Sequence, residues 1–199
     1  LLIVSILLSI LIVKNFSTNF LINTILISSA FYLFFVTLRD FFNKNFVNFA
    51  QNTAHFGFSL LILSILFNNI FSKEIITNLK VGETYQSKNF KIYFEDLETK
   101  NQQNYKVIIG KFKIQNVDGN NEILKPELRI YNQPVIITSE ADIKTNLLTD
   151  KFMTMNSIQN QDYFNVRYQV KPFMIWIWIS VFLITLGGLI SLLKKKYED

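Results

Sequence analysis

Apolar residues are pooled in three parts of the chain rather than spread along it. They concentrate in residues 1–38, 54–71 and 173–193, whereas residues 72–171 are mixed and polar. A run of about 20 apolar residues in a helix is long enough to cross a hydrocarbon core of about 30 Å. The pattern therefore predicts a membrane protein with about four transmembrane α-helices and one extramembrane domain. The predicted spans are residues 1–13, 19–38, 53–71 and 173–193.

The first of these spans is short, and the chain opens on Leu1 without a methionine. A signal peptide would carry a basic region before its apolar core and a small-residue cleavage site after it, and neither is present. We therefore expect the first helix to be truncated and further sequence to precede it. The expected organisation is transmembrane helices with short loops in residues 1–71, a β-rich domain in residues 72–171, and a final helix with a basic tail in residues 172–199.

The polar middle segment shows the period-two alternation of β-strands. Phe90, Ile92 and Phe94 share one face of their predicted strand, with charged or hydroxyl-bearing residues between them. Such alternation buries one face and leaves the other in water, which indicates antiparallel pairing. We expect a small antiparallel sandwich or open barrel. Further positions predicted on the buried faces are Ile108, Phe112, Ile114, Leu124, Leu128 and Ile130.

Two stretches of this segment are predicted to be turns or loops. Asp118-Gly119 suits the tight turn of a β-hairpin. Residues 140–158 are less regular, and we expect them to hold a short helix or a functional loop.

Basic residues near the span ends predict the orientation of the chain. Three lysines at 194–196 follow the last span, and Arg39 and Lys44 lie between the second and third spans. Both groups are expected in the cytoplasm, which makes residues 72–171 external. The expected location is a bacterial inner membrane, with this domain in the periplasm, or a mitochondrial inner membrane.

Charge and composition exclude several classes of function. The net charge is +5, but residues 72–171 carry 14 Lys and Arg against 12 Asp and Glu, without a basic stripe. We therefore expect no nucleic-acid partner. The chain has no cysteine, which excludes disulfides, thiol chemistry and thiolate metal sites within it. No residue is assigned a catalytic role.

Arg129 and Tyr131 lie on the polar face of a predicted strand. They are either ordinary surface residues, which their spacing favours, or a contact patch for a partner protein.

His55 is the single histidine of the chain and lies at the start of the third predicted span. With Asn52 or Thr53 as N-cap, it would lie in the first helical turn. Its helix face is expected to continue through Phe58, Ser59, Ile62 and Leu66. Ionisable side chains in spans are costly and usually face a bundle interior, a cavity or a ligand. Such apolar surroundings suit an axial ligand to haem iron, and the alternative is an interfacial histidine bonded to a neighbouring helix or water.

Four stretches together resemble a known family. They are AHFGFSLLIL at residues 54–63, KPELRIY at 125–131, SEADIKTNLLTDKF at 139–152 and KPFMIWIW at 171–178. Their order and spacing resemble the C-terminal part of CcmF, the membrane subunit of the cytochrome c haem lyase. Each motif is weak alone, and their joint occurrence over most of residues 50–193 is specific.

The resemblance implies a role in cytochrome c maturation. The family receives haem from the chaperone CcmE and, with other maturation subunits, attaches it to the CxxCH cysteines of apocytochrome c. It also holds a haem b in the membrane between two histidines from separate spans. His55 matches the second of these histidines, so the resemblance makes it an axial ligand of the haem iron. The first histidine and the tryptophan-rich WWD segment are absent from this sequence, so this chain alone is not expected to catalyse thioether formation.

Two positions depart from the family pattern. The family has arginine where this chain has Ile175, so any role of that arginine is not carried over. The family has glycine where this chain has Asn146, and asparagine is expected to keep the turn because it tolerates left-handed backbone angles. The rival interpretation of the whole chain is a membrane-anchored structural or assembly module that binds no cofactor.

Overall fold

The computed structural model describes residues 1–16, 19–42, 49–88, 90–116, 121–159 and 161–198. The predicted turn at Asp118-Gly119 lies outside them. The chain divides into two compact units. The helical unit comprises residues 1–72, 146–149 and 172–199, and the β-unit comprises residues 73–145 and 150–171.

The described residues of the helical unit form four helices close to the predicted positions. They are α1 (Leu2–Phe16), α2 (Phe20–Phe41), α3 (Phe49–Phe71) and α4 (Met174–Glu198). By length and composition, α2, α3 and the Met174–Leu193 part of α4 can each cross a membrane, whereas α1 is apolar only over Leu2–Lys14.

An apolar cluster packs α1, α2 and α3 against one another. Phe31 of α2 is central to it, because its ring stacks on Phe35 and meets Phe67 of α3 edge-on. The other buried members of the cluster are Val13, Ile27, Ala30 and Leu63. Outward-facing residues such as Leu21 and Ile25 remain more than 60% exposed, as expected of helix faces that meet lipid.

Antiparallel pairing organises the β-unit into two sheets. The larger sheet has the order β2-β3-β4-β6-β7, with β5 also paired to β4, and the smaller has the order β1-β10-β9-β8. The strands are β1 (Lys73–Leu79), β2 (Thr84–Gln86), β3 (Phe90–Asn101), β4 (Tyr105–Asn116), β5 (Asn121–Leu124), β6 (Glu127–Asn132), β7 (Val135–Glu140), β8 (Asp142–Thr145), β9 (Thr149–Ser157) and β10 (Phe164–Pro172).

The core of the β-unit lies between these sheets. Phe94 of β3 and Phe112 of β4 are fully buried and stack with ring centroids 4.2 Å apart. The smaller sheet contributes Met153, Met155 and Tyr168. The predicted alternation is confirmed at Phe90, Ile92, Phe94, Phe112, Ile114, Leu124 and Leu128, which are buried, whereas Ile108 and Ile130 are only partly buried. The fold class, apolar helices with an antiparallel β-sandwich, is confirmed with it.

The prediction for residues 140–158 was wrong, because they form strands β8 and β9 of a hairpin. The register runs from Asp142 opposite Met153 to Thr145 opposite Asp150. Local pattern obscured the hairpin because the buried positions of β9 are methionines rather than β-branched or aromatic residues. Packing against the opposite sheet, not local propensity, makes this segment a strand.

Candidate functional site

His55 lies in the second turn of α3, because the helix begins at Phe49. The expected start at Asn52 or Thr53 was wrong. Ala50 and Gln51 are good helix formers and extend the helix upstream. The two residues expected to cap it make other bonds, since Asn52 Nδ2 donates to Asp40 O at 2.7 Å and Thr53 Oγ1 donates to Phe49 O at 2.7 Å.

Small residues on either side of His55 hold α3 against α4. A Cβ atom at Gly57 would lie 2.9 Å from the backbone oxygen of Ser180. A Cβ atom at Gly187 would likewise lie 2.7 Å from the backbone nitrogen of Ala54. This is the close approach that small residues allow between membrane helices. Because Ala54 and Gly57 face α4, His55, which follows Ala54 and is turned by about 100° from it around the helix, is rotated away from α4.

Helix α2 holds the same turn of α3 from a second side. Thr37 Oγ1 and Ser59 Oγ lie 2.6 Å apart in a buried hydrogen bond. Phe41 and Phe56 stack with centroids 5.1 Å apart. Together with the bond from Asn52 to α2, these contacts determine which face of α3 remains uncovered.

His55 lies on that uncovered face. The exposed residues along it are Gln51, His55, Phe58, Ile65 and Asn69, spaced four, three, seven and four residues apart. Ser59, expected on the face of the histidine, instead points toward α2 and is fully buried. Phe58 and Ile65 are 54% and 50% exposed, so the face is apolar beyond the imidazole and carries an exposed amide at each end, from Gln51 and Asn69.

This arrangement can supply one nitrogen ligand from an apolar surface. The described residues contain no group of three or more His, Cys, Asp or Glu side chains that could hold a metal ion. A single imidazole beside exposed apolar side chains fits one axial position of a large flat apolar group better than it fits a metal-ion cage.

Arg129 and Tyr131 form part of a second surface, on the β-unit. Arg129 donates two hydrogen bonds to Glu127 Oε2, at 3.0 and 2.8 Å, and its guanidinium lies 5.5 Å from the ring centroid of Tyr105. Tyr105 in turn contacts Tyr131 at 5.2 Å. The hydrogen bond to Glu127 raises the pKa of the Arg129 guanidinium above its usual value. The two predicted residues are thus brought together, with Arg129 already paired to an acid.

The turn expected at Asn146 is present at residues 146–149 and is held by the side chain of Asn146. Asn146 Oδ1 accepts hydrogen bonds from the backbone nitrogens of Leu148 at 2.9 Å and Thr149 at 2.7 Å. Phe173 is the one non-glycine residue with positive φ in the described chain, so Asn146 does not use the expected left-handed angle. It keeps the turn through its side chain instead. The sequence signal available for this turn was Asn146 followed three residues later by Thr149.

Comparison with known families identifies the chain. The model of a family described as the CcmF C-terminal β-sandwich matches residues 70–172, about half of the chain. The chain belongs to the CcmF family. The matched residues cover every strand of the β-unit, so the family is recognised in the fold that the structure shows.

Curated relatives extend the CcmF similarity into the helices. The cytochrome c-type biogenesis protein CcmF of Haemophilus influenzae is 30% identical over 167 residues, which are 83% of this chain and 25% of that protein. CcmF of Escherichia coli K12 is 27% identical over 146 residues, 73% of this chain and 22% of that protein. This chain thus spans about a quarter of the length of the curated relatives it matches.

A solved structure titled Cytochrome c Heme Lyase CcmF has the same fold. It aligns with a TM-score of 0.66 at 17% identity and covers 94% of this chain and 33% of that one. With its apolar helices and CcmF relatives, the chain is an integral membrane protein.

Proposed function

We propose that this chain is part of a haem lyase subunit that helps attach haem to apocytochrome c. Its specific contribution is His55, which would be one axial ligand of a haem b in the membrane. The observation that supports this most directly is the position of the imidazole on an apolar face of α3 that the described helices leave open. The CcmF relatives are named cytochrome c-type biogenesis proteins, which supports a role in cytochrome c maturation.

The residues around His55 fit this role. Ala54 and Gly57 pack closely against α4, which sets the rotation of α3 and therefore the direction of the imidazole. This direction does not depend on contacts made by the imidazole itself. Phe58 and Ile65 provide an apolar surface on the same face, which would limit the access of water to a group bound beside the imidazole. Bound there, haem would supply one-electron chemistry. The second axial ligand would come from outside this chain, since His55 is its single histidine.

The location of the site within α3 supports a membrane-embedded cofactor. His55 lies 16 residues before the end of the helix at Phe71, which is about 24 Å along the axis at 1.5 Å per residue. The β-unit follows that far end, so His55 is close to the opposite end of the span. With the basic residues of the tail in the cytoplasm, the β-unit would be external and His55 near the inner side.

The external β-unit is proposed to contact the soluble partners. Apocytochrome c and the haem chaperone CcmE would meet it on that side, together with other maturation subunits. The surface around Arg129 and Tyr131 is the proposed contact, since it combines half-buried aromatic rings with a guanidinium, the residue types enriched at interfaces.

The test is the visible spectrum of the full-length protein purified in detergent. His55→Ala should remove the reduced α-band of low-spin haem, and added imidazole should restore it by occupying the vacated position. Asn69→Ala, on the same face of α3, is the matched control and should keep the band.

An unchanged α-band in His55→Ala would overturn the ligand assignment. Absence of haem from the intact protein would instead favour a structural or assembly module without a cofactor. Thermal unfolding of each variant separates loss of the ligand from loss of the fold.

A further inference from the structure

The hairpin turn at residues 146–149 carries two leucines that the described part of the chain leaves exposed. Leu147 is 67% exposed and Leu148 is 61% exposed. The turn belongs to the helical unit, whereas the strands on either side of it belong to the β-unit. Two adjacent exposed leucines at the tip of a tight turn are unusual, because turn residues facing water are normally polar.

The turn is bonded to the first residues of a membrane span. The indole Nε1 of Trp176 donates to Leu147 O at 2.8 Å, and the backbone nitrogen of Phe173 donates to Leu148 O at 2.8 Å. Trp176 lies in the first turn of α4, whose Met174–Leu193 part is long and apolar enough to cross the membrane. The leucines are therefore at the level where this span begins.

The backbone just before α4 is held in one conformation. Phe173 has φ of 61°, a left-handed conformation that is unfavourable for a non-glycine residue and persists only when its surroundings impose it. Its ring contacts Phe67 of α3 at 5.2 Å, and Asn68 Nδ2 donates to Pro172 O at 2.6 Å. The end of α3, the start of α4 and the turn are thus joined by named contacts within one unit.

We propose that Leu147 and Leu148 insert into the boundary between lipid headgroups and acyl chains and anchor the hairpin to the membrane surface. Tryptophan prefers this level of the bilayer, and the hydrogen bond from Trp176 holds the turn beside it. The occupant is lipid rather than a protein, because the apolar tip is continuous with the start of a lipid-facing helix on which Trp178 is 69% exposed. This anchor is independent of the proposed haem site.

Site-directed labelling tests the proposal directly. These 199 residues contain no cysteine, so Leu147→Cys introduces a single thiol for an environment-sensitive NBD probe. The hydrogen bonds from Trp176 and Phe173 to the turn are accepted by backbone oxygens, and those within the turn by Asn146, so this replacement leaves them in place. Val135→Cys is the matched control, because Val135 is an apolar residue of the β-unit that is 78% exposed.

The labelled chain is reconstituted in vesicles of phosphatidylethanolamine and phosphatidylglycerol. The probe at position 147 should show blue-shifted emission, protection from aqueous iodide and quenching by lipids brominated near the headgroup, whereas the probe at position 135 should remain open to iodide. Equal access of iodide to both probes would overturn the proposal, and would mean that the tip faces water or awaits a protein partner. Equal quenching of both by brominated lipid would also overturn it, because the tip would then not differ from any exposed apolar residue. Circular dichroism of each labelled chain checks that it is folded.

Discussion

Thr37 of α2 and Ser59 of α3 share a buried hydrogen bond between hydroxyl oxygens 2.6 Å apart. Ser59 lies four residues after His55, one helical turn along α3. The bond therefore sets the rotation of α3 at the turn that carries the imidazole. On the other side Gly57 sets the distance to α4. The hydrogen bond between Thr37 and Ser59 and the absent side chain of Gly57 together orient His55 toward the face of α3 that the described helices leave uncovered.

Thr37→Val should weaken the contact between α2 and α3. Hydrogen bonds between membrane helices contribute on the order of 0.5–1.5 kcal/mol, so we expect a loss of that size in the free energy of unfolding. The matched control is Thr24→Val, since the hydroxyl of Thr24 donates to Phe20 O within its own helix. The measurement is reversible unfolding in mixed micelles. Equal losses in the two variants would show that the interhelical bond has no special role.

Gly57→Ala should force α3 and α4 apart, because the new Cβ would lie 2.9 Å from backbone atoms of α4. Overpacking of this kind costs about 1–3 kcal/mol. Gly188→Ala is the matched control, since a Cβ there meets no atom within 4 Å. It should be neutral or stabilising by up to about 1 kcal/mol, because alanine favours a helix over glycine. Thermal unfolding in detergent gives the melting temperatures of the two variants. Similar values would contradict the close contact between α3 and α4 at Gly57.

Tyr168 should make the stability of the β-unit fall at high pH. Burial raises the pKa of its phenol above the usual value of about 10, and the charge of Glu122 raises that pKa further. The stabilisation is fully present below pH of about 10, where neither state is ionised. It is lost as pH rises toward the folded-state pKa, because the unfolded chain ionises first.

The pH effect of Tyr168 can be measured in two ways. Tyr168→Phe should flatten the decline in the free energy of unfolding between pH 9 and pH 11, values chosen to bracket the ordinary tyrosine pKa of about 10. In the wild-type chain, absorbance at about 295 nm should show a phenol that ionises above the usual tyrosine pKa of about 10, and this component should be missing from Tyr168→Phe. A variant with the wild-type slope would refute the assignment to this phenol.

Asn146→Ala should loosen the hairpin turn, because two backbone amides lose their acceptor. A loss of about 0.5–1.5 kcal/mol per hydrogen bond is expected locally. Asn146→Asp keeps the acceptor oxygen and should retain most of the stability. Hydrogen exchange at the amides of Leu148 and Thr149 is the measurement. Unchanged protection in the alanine variant would show that other contacts hold the turn.

Much of the candidate site was predictable from sequence because its signals are local. The position of His55 in a predicted membrane span follows from hydropathy alone. The motifs at residues 125–131 and 139–152 indicate the family from sequence alone. The alternation of Phe90, Ile92 and Phe94 likewise predicts a strand with one buried face. Each of these patterns repeats within a few residues, so no distant partner is needed to recognise it.

What the sequence by itself determined is therefore the kind of each element: which segments are apolar enough to enter a membrane, and which strands alternate. Only the tertiary structure decided which face of α3 is covered, because that depends on Thr37 and Gly187, which are distant in sequence. The same holds for β9, whose methionines become core residues only when the opposite sheet lies over them. Periodicity reports that a face is apolar, and packing alone decides what that face meets.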